Sequence, residues 1–90
     1  MSRSVINEQP RMKYIDVNVT PDSNGAFGIN TTTGGVVTLA NFVSAIPYNA
    51  NNVHLIPYTY TNNVICRAYA VGTFNPWTTL LTVRVWYNSP

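Results

Sequence analysis

The sequence predicts an all-β fold, a small antiparallel β-sandwich of about six to eight short strands. Three observations lead there. From Met12 onward, apolar and polar residues alternate with period two. Clusters of Gly, Pro and Asn recur about every 8–12 residues, the spacing of turns in such folds. No apolar repeat of helical period runs for a useful length.

The elements follow in order. Residues 1–12 hold Ser, Asn, Glu, Gln and Pro without a sustained pattern and are read as an arm or linker, leaving 13–90 as the domain. Ile15, Val17 and Val19 alternate with Tyr14, Asp16 and Asn18, as in a half-buried strand. Pro21 to Gly25 is a turn, where Pro, Asn and Gly each suit the backbone required. Phe27 and Ile29 form a short strand, Thr31 to Gly35 a turn, and Val36 to Leu39 another short strand. Leu39 to Val43 would alternatively fit a single helical turn. Phe42–Tyr48, Val53–Tyr60, Val64–Val71 and Thr78–Tyr87 are the clearest strands, the last being rich in β-branched and aromatic residues. Pro47 and Pro57 cannot donate to a ladder, so each marks an edge strand or a bulge.

Composition narrows the function. Five basic and three acidic residues give a formal charge of +2, and Asn and Thr supply 23 of the 90 residues. So few charges defend weakly against association. A chain of this size also buries only about 60–65% of its unfolded surface. Cys66, the single cysteine, rules out an internal disulfide, and with His54 it falls short of the four ligands of a structural zinc site. Association with copies of itself or with a larger body is the remaining source of stability. The basic residues near Arg3 and Arg11–Lys13 do not form the clustered face that nucleic acid requires. No apolar run is long enough to span a membrane, and no signal-peptide pattern opens the chain.

The residues for catalysis are sparse. Glu8, Asp16 and Asp22 are the only carboxylates, and they fall in the arm, in a strand and in a turn. Cys66 and His54 lie on neighbouring strands, but Cys66 alternates with Val64, Ala68 and Ala70 and reads as a buried, inert thiol. Gly34–Gly35 precedes a strand-like run, so no phosphate loop is expected. Hence no catalytic set, metal or cofactor is expected.

Aromatic and guanidinium groups are concentrated toward the C-terminus. Arg67 and Tyr69 share one face of their strand, and Arg84 and Trp86 share one face of theirs. If those strands are adjacent, the four residues form one surface. Rings stack on the apolar faces of sugars, and guanidinium forks bond hydroxyl or phosphate groups. The same surface would equally suit a second sheet or another subunit, because interfaces also concentrate Tyr, Trp and Arg. Phe74, Asn75 and Trp77 sit in the loop after that strand and complete the candidate glycan surface. In the alternative, Phe74 and Trp77 fold back and plug one end of the sandwich.

The stretch Val53–Tyr60, an Asn turn, Val64–Val71, the Phe74–Asn75–Pro76 loop and a terminal Leu81–Tyr87 strand with Val83, Val85 and Tyr87 at alternate positions resembles the C-terminal head domains of phage and prophage tail fibres and receptor-binding proteins. The resemblance extends in style over 13–90 and in pattern over 53–87. It implies a compact β-sandwich head, commonly a homotrimer, that binds host-surface saccharides or teichoic-acid-like polymers. That group shares no site motif, so no functional residue is carried over. The expected function is a non-catalytic tail adhesin head in the virion, recognising a host cell-surface glycan. The rivals are a structural virion component, such as a decoration or baseplate piece, and a small inhibitor of a host protein.

Overall fold

Six of the period-two segments become strands in the structure, a computed structural model that describes residues 11–89. They are β1 (Arg11–Val19), β2 (Ala26–Gly28), β3 (Phe42–Pro47), β4 (Val53–Tyr60), β5 (Asn63–Ala70) and β6 (Leu81–Ser89), with one short helix, α1 (Ile29–Thr32), after β2. The arm expected over 1–12 lies outside the described residues up to position 10, and Arg11 and Met12 already belong to β1. The strands form two three-stranded antiparallel sheets, ordered β1-β6-β3 and β2-β5-β4. The chain is therefore all-β in its main architecture.

The core lies between the sheets. Val17, Val19, Ala45, Leu81, Val83 and Val85 enter it from one side, and Phe27, Val53, Val64, Cys66 and Ala68 from the other. Ile29 and Val37 close it from the connecting segment. Only Phe27, Ile29 and Leu81 are larger than valine, so the layer is thin. Fully burying one Val or Leu side chain contributes about 1.5–3 kcal/mol.

Residues 29–41 depart from the expected strands. Ile29 opens α1 instead of extending β2, and Val36 to Leu39 form turns. The cause is a side chain that competes with the ladder. The buried Thr33 hydroxyl donates to the Ile29 carbonyl at 2.7 Å and accepts from the Val37 amide at 3.1 Å. That closes the chain on itself and drops Val37 into the core while Val36 and Leu39 face solvent. Asn41 acts likewise, accepting from the Thr38 amide at 2.7 Å and donating to the Val36 carbonyl at 3.1 Å. Asn30 ties α1 to β5 by accepting from the Val64 amide at 2.9 Å. Much of the unusual Asn and Thr content here satisfies backbone groups that no strand reaches.

Both prolines fall on sheet edges, as their missing amides require: Pro47 ends β3, and Pro57 sits within β4. β5 has β4 on one side, and on the other β2 followed by the loop. There the Ala68 amide donates to Gly25, the Ala70 amide to Asn75, and the Trp77 amide to the Ala68 carbonyl. A Cβ on Gly25, whose φ is +78°, would come within 2.5 Å of the Ala68 carbonyl oxygen, so the close approach requires glycine.

The β4–β5 hairpin closes with Thr61 at φ 48° and Asn62 at φ 64°. Two positive φ values mark the mirror-image turn favoured between twisted strands. A β-branched residue is strained there. Replacing Thr61→Asn together with Asn62→Gly should raise stability by about 1 kcal/mol, measured as an increased midpoint in chemical denaturation.

Candidate functional site

The parity of the strands decides where each candidate residue lies. Val64, Cys66 and Ala68 of β5 point into the core, so Arg67 and Tyr69 point away from it. Leu81, Val83 and Val85 of β6 point in, so Arg84 and Trp86 point away. β5 and β6 belong to different sheets. The single surface that adjacency would have given is therefore split: Arg67 and Tyr69 lie on one outer face, Arg84 and Trp86 on the opposite one.

On the β1-β6-β3 face, Arg84 is fully engaged. Its Nε donates to Asp16 Oδ1 at 2.8 Å and its Nη2 to Asp16 Oδ2 at 3.0 Å, a forked ion pair between cross-strand neighbours. The guanidinium carbon also lies 4.0 Å from the centre of the Tyr14 ring and 4.2 Å from that of Tyr48. Trp86 leans on Tyr14, with ring centres 5.0 Å apart. The hydrogen bonds from Arg84 hold the Asp16 carboxyl below its ordinary range, and Asp16 in turn raises the Arg84 guanidinium. Tyr14, Asp16 and Tyr48 were not among the candidates. Tyr14 and Asp16 share parity in the sequence, but only the β1–β6 register shows that they meet Arg84.

On the β2-β5-β4 face, Arg67 and Tyr69 gather a different set. His54 stands directly across from Tyr69, and Ile56 across from Arg67. The His54 and Tyr69 rings are 5.8 Å apart, and Phe74 meets Tyr69 edge-on at 5.8 Å. Arg67 lies 5.8 Å from the Tyr58 ring centre. Among the described residues Arg67 makes no ion pair. Asp22, the carboxylate in its field, accepts from the amides of Ala26 and Asn24, which hold it below its ordinary range. Ile56, Tyr58 and Tyr60 are exposed, and Phe74 is 82% exposed.

The loop divides between its two expected roles. Trp77 packs against the core and plugs it, while Phe74 is displayed beside Tyr69. Asn75 closes the loop, its amide donating to Thr73 Oγ1 and its carbonyl accepting from Ala70. Among the described residues, the buried Trp77 indole Nε1 has no hydrogen-bond partner.

Cys66 is buried, and burial alone pushes its thiol up to about 12. It faces the core while His54 faces outward, so the two do not form a nucleophile–base pair. Among the described residues there is no cluster of three or more potential metal ligands, and no helix is long and apolar enough to cross a membrane. Among the described residues, neither outer face carries an enclosed pocket. No family model matches this chain, and no curated protein or solved structure matches it.

Two predictions follow from these contacts. Because the folded Asp16 carboxyl is depressed, its contribution is complete above the ordinary carboxylate range and is lost as pH falls through the folded value. Thermal midpoints should therefore drop below about pH 4, and Asp16→Asn should be less stable at neutral pH with a shallower acid limb. Trp77→Phe removes an unpartnered buried N–H while keeping an aromatic plug, and should leave stability unchanged or raise it by about 1 kcal/mol.

Proposed function

We propose that this chain is a non-catalytic binding domain, the receptor-binding head of a phage tail, which holds a host cell-surface glycan on the outer face of the β2-β5-β4 sheet. The observation that carries this reading is the open run of Phe74, Tyr69 and His54 beside Arg67 and Tyr58. Rings on a flat strand pair offer stacking surfaces to successive sugars, and Arg67, free of an ion pair among the described residues, offers forked donors to their oxygens. An open shelf suits a polymer that passes over it better than a small molecule that must be enclosed.

The non-catalytic reading is supported by how the reactive groups are occupied. Asp16 is held by Arg84, Asp22 by two backbone amides, and the Cys66 thiol is buried. The phage-tail assignment, with its place in the virion and its three copies, rests on the resemblance of the C-terminal half. Several copies acting together would make weak individual sites useful. A second reading, a structural virion component, is favoured by the exposure of Ile56, Tyr60 and Phe74, which a neighbouring protein would also cover.

Binding to host cell-wall polysaccharide tests the proposal. Tyr69→Ala and Arg67→Gln should each weaken binding about tenfold, the loss of roughly 1.4 kcal/mol, whereas Trp86→Ala on the opposite face should not. Absence of binding by the unaltered chain would overturn the glycan reading. Loss confined to Trp86→Ala would move the ligand to the β1-β6-β3 sheet.

A further inference from the structure

Each sheet has two edges, and three of the four are blunted among the described residues. β2 is only three residues long, and the 75–77 segment continues along β5 beyond it. β3 carries a register shift between Phe42 and Ser44 and ends on Pro47. β4 has Pro57 within it. Bulges, prolines and short edge strands are the devices by which sheets avoid pairing with other chains. β1 has none of these three, and its one guard is the charge of Lys13. It pairs with β6 over nine residues in unbroken register, contains no proline, and among the described residues has no strand on its other side.

We propose that β1 is the contact strand for a second copy of this chain, the two β1 strands pairing antiparallel about a two-fold axis at Ile15. This arrangement sets Arg11 opposite Val19 of the second copy, Met12 opposite Asn18, Lys13 opposite Val17, and Tyr14 opposite Asp16. All nine residues of the strand are used, and the core-facing and outward-facing sides of both sheets stay aligned.

Strand length and charge together select this register: an axis at Tyr14 or Val17 opposes no like charges but pairs fewer of the nine residues. An axis at Lys13 would oppose two lysines, one at Met12 would set Arg11 against Lys13, and one at Asp16 would oppose two carboxylates. Like charges directly opposite one another destabilise a pair. Lys13, a charge on the core-facing side of an edge strand, also discourages unselective pairing. With the axis at Ile15, it meets a valine instead of a second cation. The result is a continuous six-stranded sheet, with the Tyr14, Arg84 and Trp86 clusters of the two copies on one side.

The thin core leaves a chain of this size in need of association, and pairing at β1 would bring the exposed Met12 and Tyr14 of each copy beside the other. The inference does not rest on the glycan reading, because it concerns the edge of the other sheet. On copy number it departs from the three-fold head that the resemblance implies: antiparallel pairing of one open edge with itself closes at two.

The experiment is solution mass of the full chain over a range of concentrations, for the unaltered protein and two double variants. Met12 and Asn18 are both exposed and lie opposite each other in the proposed pairing. Met12→Lys with Asn18→Lys places like charges across the axis twice, whereas Met12→Lys with Asn18→Glu places opposite charges there. Asn18→Lys removes the acceptor of the exposed Thr82 hydroxyl while Asn18→Glu keeps a carboxylate oxygen there, so circular dichroism and thermal midpoints check that both variants fold. The expected result is a dimer for the unaltered chain. Its dissociation constant should rise on the order of tenfold or more in the like-charge variant and should not rise in the opposite-charge variant. A monomer, a trimer, or equal weakening in both variants would overturn the proposal. A dimer that fails to bind glycan would overturn only the proposed function.

Discussion

The two central strands, β5 and β6, must bury their small side chains against the same core. Val64, Cys66 and Ala68 on one strand and Leu81, Val83 and Val85 on the other leave little room for choice. Side chains alternate strictly along a strand, so fixing one set inward throws the other set outward. Because the two strands lie in different sheets, their outward sets are carried to opposite sides of the molecule. The positions of Arg67, Tyr69, Arg84 and Trp86 all follow from that.

The two outer faces then differ for an electrostatic reason. β6 lies beside β1, and the register places Asp16 across from Arg84. The cation is neutralised within the sheet and held between Tyr14 and Tyr48. β5 lies beside β4, whose outward residues are His54, Ile56, Tyr58 and Tyr60, with no carboxylate among them. Arg67 therefore keeps its charge available beside the rings. One face neutralises its guanidinium with a carboxylate, whereas the other holds its guanidinium against the hydroxyls of Tyr58 and Tyr69, which leaves a net positive charge beside exposed rings.

The thin core explains the remaining features. With mostly valine-sized residues inside, the loops gain little from burial, and Asn and Thr side chains hold them together instead. Thr33, Asn30 and Asn41 each supply hydrogen bonds that a ladder would otherwise make. The same composition that leaves the chain short of charge thus builds its connections.

The sequence alone determined the all-β class, the four C-terminal strands and the burial of Cys66, and it confined Pro47 and Pro57 to an edge or a bulge. These are local properties: period-two alternation, β-branched content and the missing proline amide act within a few residues. The turn over Thr33–Gly35 was legible, but the strands expected at Ile29 and at Val36–Leu39 give way to α1 and to turns held by the Thr33 side chain, of which alternation carries no sign. The candidate site was half legible. Arg67, Tyr69 and Phe74 do come together, yet Arg84 and Trp86 do not join them, and Trp77 turns into the core. Parity within a strand is written in the sequence, but which strand lies beside which is decided by how two sheets share one core. Only that tertiary choice separated the two arginines and gave Asp16 to one of them.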